Sequence, residues 1–406
     1  MKTVNTPGRP IPRAIALALV VGTTASLLTH ESDAAPVVSE IVQGDVSISS
    51  IDSSMTIEAS NQSIIDWQSF DIASSETVEF IQPNAHSAVL NRVTGDIGPS
   101  QIDGTLLANG KVFLVNPAGF VFGPDSVIDA GGFLAAAADL SNDSFNSKKY
   151  LLKHVSGEII AEGLITADAV TLIAQRISNH GTIVANDGLV TLLTAEGVML
   201  KEVGSKIMVE VTNGSTTSQL GFEDFDITEA ANKSSSSDSY VRLGAGDAYS
   251  LALLNTGTIK APSGKINIAL SNGRLVNEGT ISTSVDRGTA GKINLLAQSI
   301  VNRGRITADS NNGKAGRVFL SAVCDIILES GSRLSAAGGT HCATGGKLFL
   351  FAKGKIDFQR NAVIDISGGK RGGHGGQAVL RACKLILKGC FNTWARKCYK
   401  RGKIKL

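Results

Sequence analysis

Cysteine is missing from most of this 406-residue chain. All five (Cys324, Cys342, Cys383, Cys390 and Cys398) fall in the last quarter, and none precedes residue 324. A cysteine-free body excludes a disulfide-stapled scaffold there, and it suits a chain that crosses an oxidising compartment unfolded, where stray thiols would cross-link. Large side chains are also scarce, with 5% aromatics, 2 Trp, 4 Tyr and 4 Met. Periodic runs of Leu, Glu, Lys and Ala are nearly absent, which argues against helices. Acidic residues stop at Asp365, after which eleven Lys and Arg follow, although the net charge is only +2. Beyond the first 36 residues no apolar run approaches the length of a membrane span, so the mature chain is expected not to be transmembrane.

Those first residues form a processing signal. Lys2, Arg9 and Arg13 precede an apolar run from 14 to 29, and Ser32-Asp33-Ala34 places small residues where a signal peptidase cleaves. Residues 1–34 therefore read as a signal peptide that hands the chain to the Sec machinery. The run is too short and too broken by Gly22, Thr23 and Thr24 for a membrane anchor.

What is abundant is Gly (44 residues), with Ile, Val, Leu, Ala, Asn, Ser and Thr. β-Branched residues suit strands, and Gly and Asn suit tight turns. Two short patterns repeat. One is a Gly followed by alternating apolar positions, as in Gly264-Lys265-Ile266-Asn267-Ile268-Ala269-Leu270. It returns at Gly291, Gly316, Gly346 and Gly376, at intervals of 27, 25, 30 and 30 residues, with an earlier copy at Gly188. The other is Asn-x-Gly-x-Ile, at Asn179, Asn255, Asn277 and Asn302, decaying after Ser330 and Asn361. Coils of 25 to 30 residues with two or three short strands cannot bury their inner faces alone, whereas stacked coils make parallel sheets around a narrow aliphatic core. The expected fold is all-β, a right-handed parallel β-helix. Asn at equivalent turns is expected to form hydrogen-bonded ladders, not catalytic groups. The pattern lapses between Gly197 and Asp247, where an irregular insertion extruded from the helix, about 200–247, or an irregular longer coil is expected.

Residues 37–145 have a different character. Ile64-Ile65-Asp66-Trp67-Gln68-Ser69-Phe70 alternates around two aromatics. Asn91-Arg92-Val93, Gln101-Ile102-Asp103-Gly104 and Val115-Asn116-Pro117-Ala118-Gly119-Phe120-Val121-Phe122-Gly123 follow. With Asp129 to Gly132, Leu134 to Asp139 and the later Asp247-Ala248-Tyr249-Ser250-Leu251, this ordered series resembles the secretion domain of two-partner secretion exoproteins. That is the filamentous haemagglutinin N-terminal family, in the branch of high-molecular-weight adhesins and haem–haemopexin-binding exoproteins.

The resemblance covers about residues 37–310. It implies a capped β-helix, residues 35–150 forming the cap and first coils and 151–380 the repeats. It also implies recognition in the periplasm by the POTRA domains of an outer-membrane barrel transporter, and secretion to the cell surface or medium. The family motif Asn-Pro-Asn-Gly-Ile corresponds to Asn116, Pro117, Ala118, Gly119 and Phe120, which departs from it at the third and fifth places. The Asn-Pro-x-Gly turn survives, and the hydrogen bonding of the third side chain is put in doubt. Trp67, Phe70, Asn91, Arg92, Gln101 and Gly104 are the supporting positions. The function so implied is an adhesin- or haemagglutinin-type surface protein, with a host glycan or protein as its target and nucleic acid not expected. Alternatives are a haem or haemopexin binder and a carbohydrate-active β-helix enzyme.

Few residues point to chemistry. Asp168, Asp187, Asp309 and Asp365 are single acids in turn-rich sequence and read as solvated turn residues, so no catalytic group, and no enzyme, is expected. His341 beside Cys342 lacks a third ligand, so neither metal nor cofactor is expected. The basic segment 381–406 reads as an unstructured remnant of a shortened or frame-shifted chain, as a loop closed by a Cys390–Cys398 disulfide, or as a segment that binds an anionic surface.

Overall fold

In a computed structural model, residues 35–406 are described except 96–97, 186–187, 196–197, 204–205, 214–215 and 221–250, with backbone alone for 198–220. The expected signal peptide, 1–34, and part of the expected insertion lie outside the described residues.

The two repeats build a β-helix with three parallel sheets. One coil runs through Arg274–Asn277, Thr280–Ser282 and Lys292–Ala297 before Ser299–Asn302 opens the next. Strands ending in the motif asparagine stack as an Asn sheet of ten strands, from Ser100–Ile102 to Lys384–Leu387. Strands centred on the motif isoleucine stack as an Ile sheet: Ile183, Ile259, Ile281, Ile306, Leu334 and Ile364 occupy one register position. Strands after the repeating glycine form a Gly-led sheet through Leu189–Thr194, Lys265–Leu270, Lys292–Ala297, Arg317–Ala322 and Lys347–Ala352. In the early coils the last two sheets are continuous, because Thr105–Val115 and Val127–Ala136 run through both. A smaller parallel sheet of Val285–Thr289, Ser310–Lys314 and Ala343–Thr344 flanks the corner between them.

Inward positions follow the period of two. Ile266, Ile268 and Leu270, like Ile293, Leu295 and Ala297, have no exposed surface. At about 25 cal/mol per Å² of buried apolar area, each such aliphatic contributes roughly 1.5–3 kcal/mol. The expected ladder forms: each Nδ2 of Asn179, Asn255 and Asn277 donates to the Oδ1 of the asparagine one coil on, all at 2.7 Å, ending on Asn302. All four are fully buried. The next coils place Leu328 and Phe358 at this position, so the ladder stops where the motif decays.

The N-terminal edge is closed by antiparallel strands. Val37–Gln43 lies antiparallel on Ser63–Ser69, and Val46–Ile51 hairpins onto Ser54–Ala59. Turning the edge this way leaves no open parallel template.

Two findings differ from the sequence expectations. First, the chain leaves the solenoid twice at one corner, after Val127–Ala136 and after Leu189–Thr194. The excursions join: Lys149–Lys153 pairs antiparallel with Val198–Val203, which continues into Lys206–Asn213 and Thr216–Leu220. The described part of the insertion up to residue 220 is thus strand, and it extends an earlier excursion that includes the helix Asn142–Asn146. The physical reason lies underneath. Outward residues Phe113, Leu134, Ile173 and Leu193 of the Gly-led sheet are apolar, and Leu140, Phe145, Tyr150 and Leu152 cover them. Second, the basic tail is not unstructured. Lys384–Leu387, Cys390–Asn392 and Lys403–Lys405 pair in register with the three sheets. Leu385, Leu387, Phe391 and Ile404 pack on the core. The Cys390–Cys398 disulfide is not formed, and all five cysteines are free thiols. Cys390 is held in the Ile sheet opposite Val363, which takes it out of the flexible loop that such a bond would close.

Candidate secretion site

The Asn116–Phe120 turn links the Gly-led sheet to the Asn sheet. Its Gly119 amide donates to the Asn116 carbonyl at 2.9 Å, closing a β-turn with Pro117 and Ala118 at the tip. Asn116 is 3% exposed, and its side chain holds both sides of the turn. Oδ1 accepts from the Ala118 amide at 3.0 Å, while Nδ2 donates to the Gly98 carbonyl and to Ser100 Oγ, each at 3.1 Å. Gly119 sits at φ +105°, where a Cβ would lie 2.1 Å from the Glu158 carbonyl oxygen of the next coil. No other residue fits that position. Ala118 is exposed and contributes its amide to the turn, so the missing asparagine side chain leaves the geometry intact. Phe120 points inward, fully buried, and stacks on Phe122 at 5.9 Å.

The supporting positions fall into three groups. Trp67 is fully buried, lies edge-on to Phe70 at 5.0 Å, and donates from Nε1 to Asn91 Oδ1 at 3.0 Å. Asn91 passes the link to the Phe113 carbonyl at 3.3 Å, which bridges three successive rungs. Arg92 clasps Asp66 through Nε and Nη2 at 2.8 and 3.0 Å, and its Nη1 donates to Asn142 Oδ1 at 2.6 Å. It therefore ties the Gly-led sheet to the external helix. Gln101 is exposed and takes part through its backbone, donating to Asp71 Oδ1 at 2.7 Å. Burial raises the pKa of Asp71, against which that hydrogen bond works. Gly104 packs where a Cβ would meet the Ala73 carbonyl at 2.1 Å.

The turn and its supports are thus not one cluster of exposed groups. They are the joints of the first coils, and only Pro117, Ala118 and Gln101 face outward. Sequence reasoning missed Asp66 as the partner of Arg92. It also missed Glu76, whose Oε2 accepts from the Ala73 amide at 2.8 Å. The pair Gln82 and Asn109 was missed as well, joined by two bonds of 2.8 and 2.7 Å that mimic a strand rung. Asp66 and Asn109 lie one coil, 26 and 27 residues, from their partners, a spacing that could have found them, whereas Glu76 bonds locally, three residues from Ala73.

The candidate chemical residues lie apart from this site. Asp168 is exposed, and Asp187 is outside the described residues. Asp309 and Asp365 are not the solvated turn residues expected. Asp365 is 4% exposed, accepts from Arg333 Nη2 at 2.6 Å, and caps the Ser367 amide at 3.0 Å. Asp309 accepts from Ser335 Oγ and from the Ala337 amide, and burial raises its pKa. Corner geometry is the reason: Asp309 turns to satisfy an amide of the neighbouring coil, and Asp365 satisfies the Ser367 amide of its own coil while pairing with Arg333 of the preceding one. His341 and Cys342 are exposed. Among the described residues no three of His, Cys, Asp and Glu converge as a metal site. A shallow cleft of about 140 Å³ beside the cap is lined by Gln62, His86, Lys111, Phe145, Lys148 and Tyr150.

With that geometry in place, the profile of the TPS secretion domain matches residues 30–325. The chain belongs to the TPS secretion domain family. It is a two-partner secretion exoprotein, a class exported across the outer membrane. The crystal structure of the HMW1 secretion domain from Haemophilus influenzae superposes with a TM-score of 0.68 at 26% identity, covering 87% of this chain and 89% of that one. A "Heme/hemopexin-binding protein" of H. influenzae strain Rd is 34% identical over 216 residues, which is 50% of this chain and 24% of the relative. A second H. influenzae protein of that name is 42% identical over 113 residues, or 27% and 12%. The matched stretches thus span a quarter or less of these curated relatives. Among the described residues no helix is long and apolar enough to cross a membrane.

Proposed function

We propose that the chain is a non-enzymatic, adhesin-type exoprotein whose capped first coils address it to an outer-membrane barrel partner. It passes the inner membrane through the Sec machinery, and the POTRA domains of that partner recognise it before it folds. The observation that carries the reading is the family match, which spans residues 30–325 and so takes in the cap, the turn and most of the coils. Folding then starts at the closed cap and propagates coil by coil, since each coil offers the next three unpaired strands. The inward-turned carboxylates Asp309 and Asp365 support a non-enzymatic role, because their oxygens are already engaged with amides, Ser335 and Arg333. The test is secretion of the full chain with and without its cognate barrel transporter. Export should fall to background without it, and unchanged export would sink the proposal.

A second reading, haem or haemopexin binding, is favoured by the names of the two curated relatives. The cleft at His86 and Tyr150 is where a haem ligand would be sought. Haem titration followed by absorbance, comparing the chain with His86→Ala, decides it: an unchanged spectrum on titration rejects the cleft.

A further inference from the structure

The corner that leads from the Ile sheet into the Gly-led sheet changes character in its last two coils. In earlier coils its segments 283–291 and 307–316 each carry one acid and one cation, Asp286 with Arg287 and Asp309 with Lys314. Segment 335–346 carries neither. Segment 366–376 then brings Lys370 and Arg371, and segment 393–402 brings Arg396, Lys397, Lys400 and Arg401, with no acid in either. All six cations are exposed, and among the described residues none of them forms an ion pair.

These charges do not sit on a loose tail. The Gly368 amide donates to the Trp394 carbonyl and the Gly375 amide to the Lys400 carbonyl, each at 2.8 Å. The Lys400 amide donates to His374 Nδ1 at 2.9 Å, and Arg396 Nη1 donates to the Arg371 carbonyl at 2.8 Å. The two segments are therefore stacked into one fixed corner. It also carries apolar surface. Trp394 and Tyr399 are 43% and 42% exposed, and among the described residues no other Trp, Tyr or Phe is exposed. Crowded cations repel and exposed rings forgo burial, so the fold gains from neither. A soluble polyanion would need only the charge. Trp and Tyr join an apolar ring to a polar group, which suits the boundary between lipid headgroups and hydrocarbon, and clustered Lys and Arg are drawn to acidic headgroups.

We propose that the corner formed by residues 368–375 and 393–402 docks on an anionic lipid surface, its six cations pairing with headgroup phosphates and Trp394 and Tyr399 entering the interface. The inference goes beyond the export reading. Lipid binding by the purified chain does not depend on export, so either can fail without the other.

The test uses the full mature chain with vesicles of phosphatidylglycerol in phosphatidylcholine, and pure phosphatidylcholine vesicles as the control. The chain has 2 Trp, and Trp67 is fully buried in the cap, so a change in Trp emission reports Trp394. Acidic vesicles should move that emission to shorter wavelength and shield it from iodide, less so as salt rises. Pure phosphatidylcholine and inorganic phosphate should do neither. Lys397→Gln with Lys400→Gln should weaken vesicle binding by about thirty-fold, the scale of two cations lost from an acidic surface. Tm should hold or rise, since repulsion within the corner is relieved. Lys149→Gln with Lys153→Gln, an equal change of charge on the external sheet, should alter binding little. Any of five results overturns the proposal: equal binding of the two kinds of vesicle, acidic-vesicle binding with unchanged Trp emission, equal losses from the two lysine pairs, a Tm that falls along with affinity, or tighter binding of heparin, a soluble polyanion, than of acidic lipid at equal salt.

Discussion

The first coils and the later coils solve the same packing problem with different materials. Up to Phe133 the core is filled by Trp67, Phe70, Phe80, Phe120 and Phe122, and joined by side-chain bonds with distinct partners, such as Trp67 to Asn91 and Arg92 to Asp66. From Leu251 onward the core is nearly all Ile, Leu, Val and Ala, and its buried asparagine ladder repeats one residue against its own copy. A region in which each contact is unique folds as a unit and specifies where the helix starts. A region of identical rungs gains stability by addition, and a defect in it stays local.

Substitutions in the two regions should separate these behaviours. The largest effect is expected from Trp67→Ala, which removes a fully buried ring and orphans Asn91. A loss of about 4 kcal/mol, read by denaturant unfolding, should be accompanied by loss of protection throughout the cap in hydrogen exchange. If only residues near 67 lose protection, the cap is not one cooperative unit. Asn277→Ala should cost about 2 kcal/mol, since it leaves Asn255 Nδ2 and Asn302 Oδ1 buried and unpaired. Its exchange signature should be confined to the coils that hold those two asparagines. Ala118→Asn restores the family residue at an exposed turn tip and should change stability by no more than about 0.5 kcal/mol. A larger change would show that the turn tip is packed, contrary to its exposure.

The smallest effect is a pH dependence in the later coils. Asp309 has a raised pKa because burial disfavours its charged form, with Ser335, the Ala337 amide and Arg333 opposing and Asp365 adding to the shift. The folded state therefore holds this proton more tightly than the unfolded chain. Its contribution is full below the ordinary value of 3.8 and is lost as pH rises through the raised one. Asp309→Asn, which keeps an oxygen for Ser335 and the Ala337 amide, should flatten that part of the Tm–pH curve by raising stability towards neutral pH while leaving acid stability nearly unchanged. An identical curve for the variant would remove Asp309 from the account.

The later coils were the more legible region. Gly291, Lys292 and Ile293 have copies one coil away, so period and register could be read directly. The first coils were legible as strands and by resemblance, yet their joints were not. Nothing near Arg92 in sequence identifies Asp66 or Asn142, 26 and 50 residues away, as its partners. The external sheet was hidden for a related reason. Phe113 and Leu134 look like core residues in sequence, and their alternation cannot tell an inner face from a covered outer one.

The sequence by itself determined the coil, because a period of two within a period of 25 to 30 has few solutions that bury aliphatics and pair every strand. It also determined the Asn-Pro-x-Gly turn, whose φ at Gly119 follows from residue type. Tertiary structure alone decided which faces are covered and which are left to solvent. It turned Asp309 and Asp365 inward and drew 381–406 into a final coil. Those outcomes depend on which residues of different coils come level, and coil length varies too much along the chain for sequence spacing to fix it.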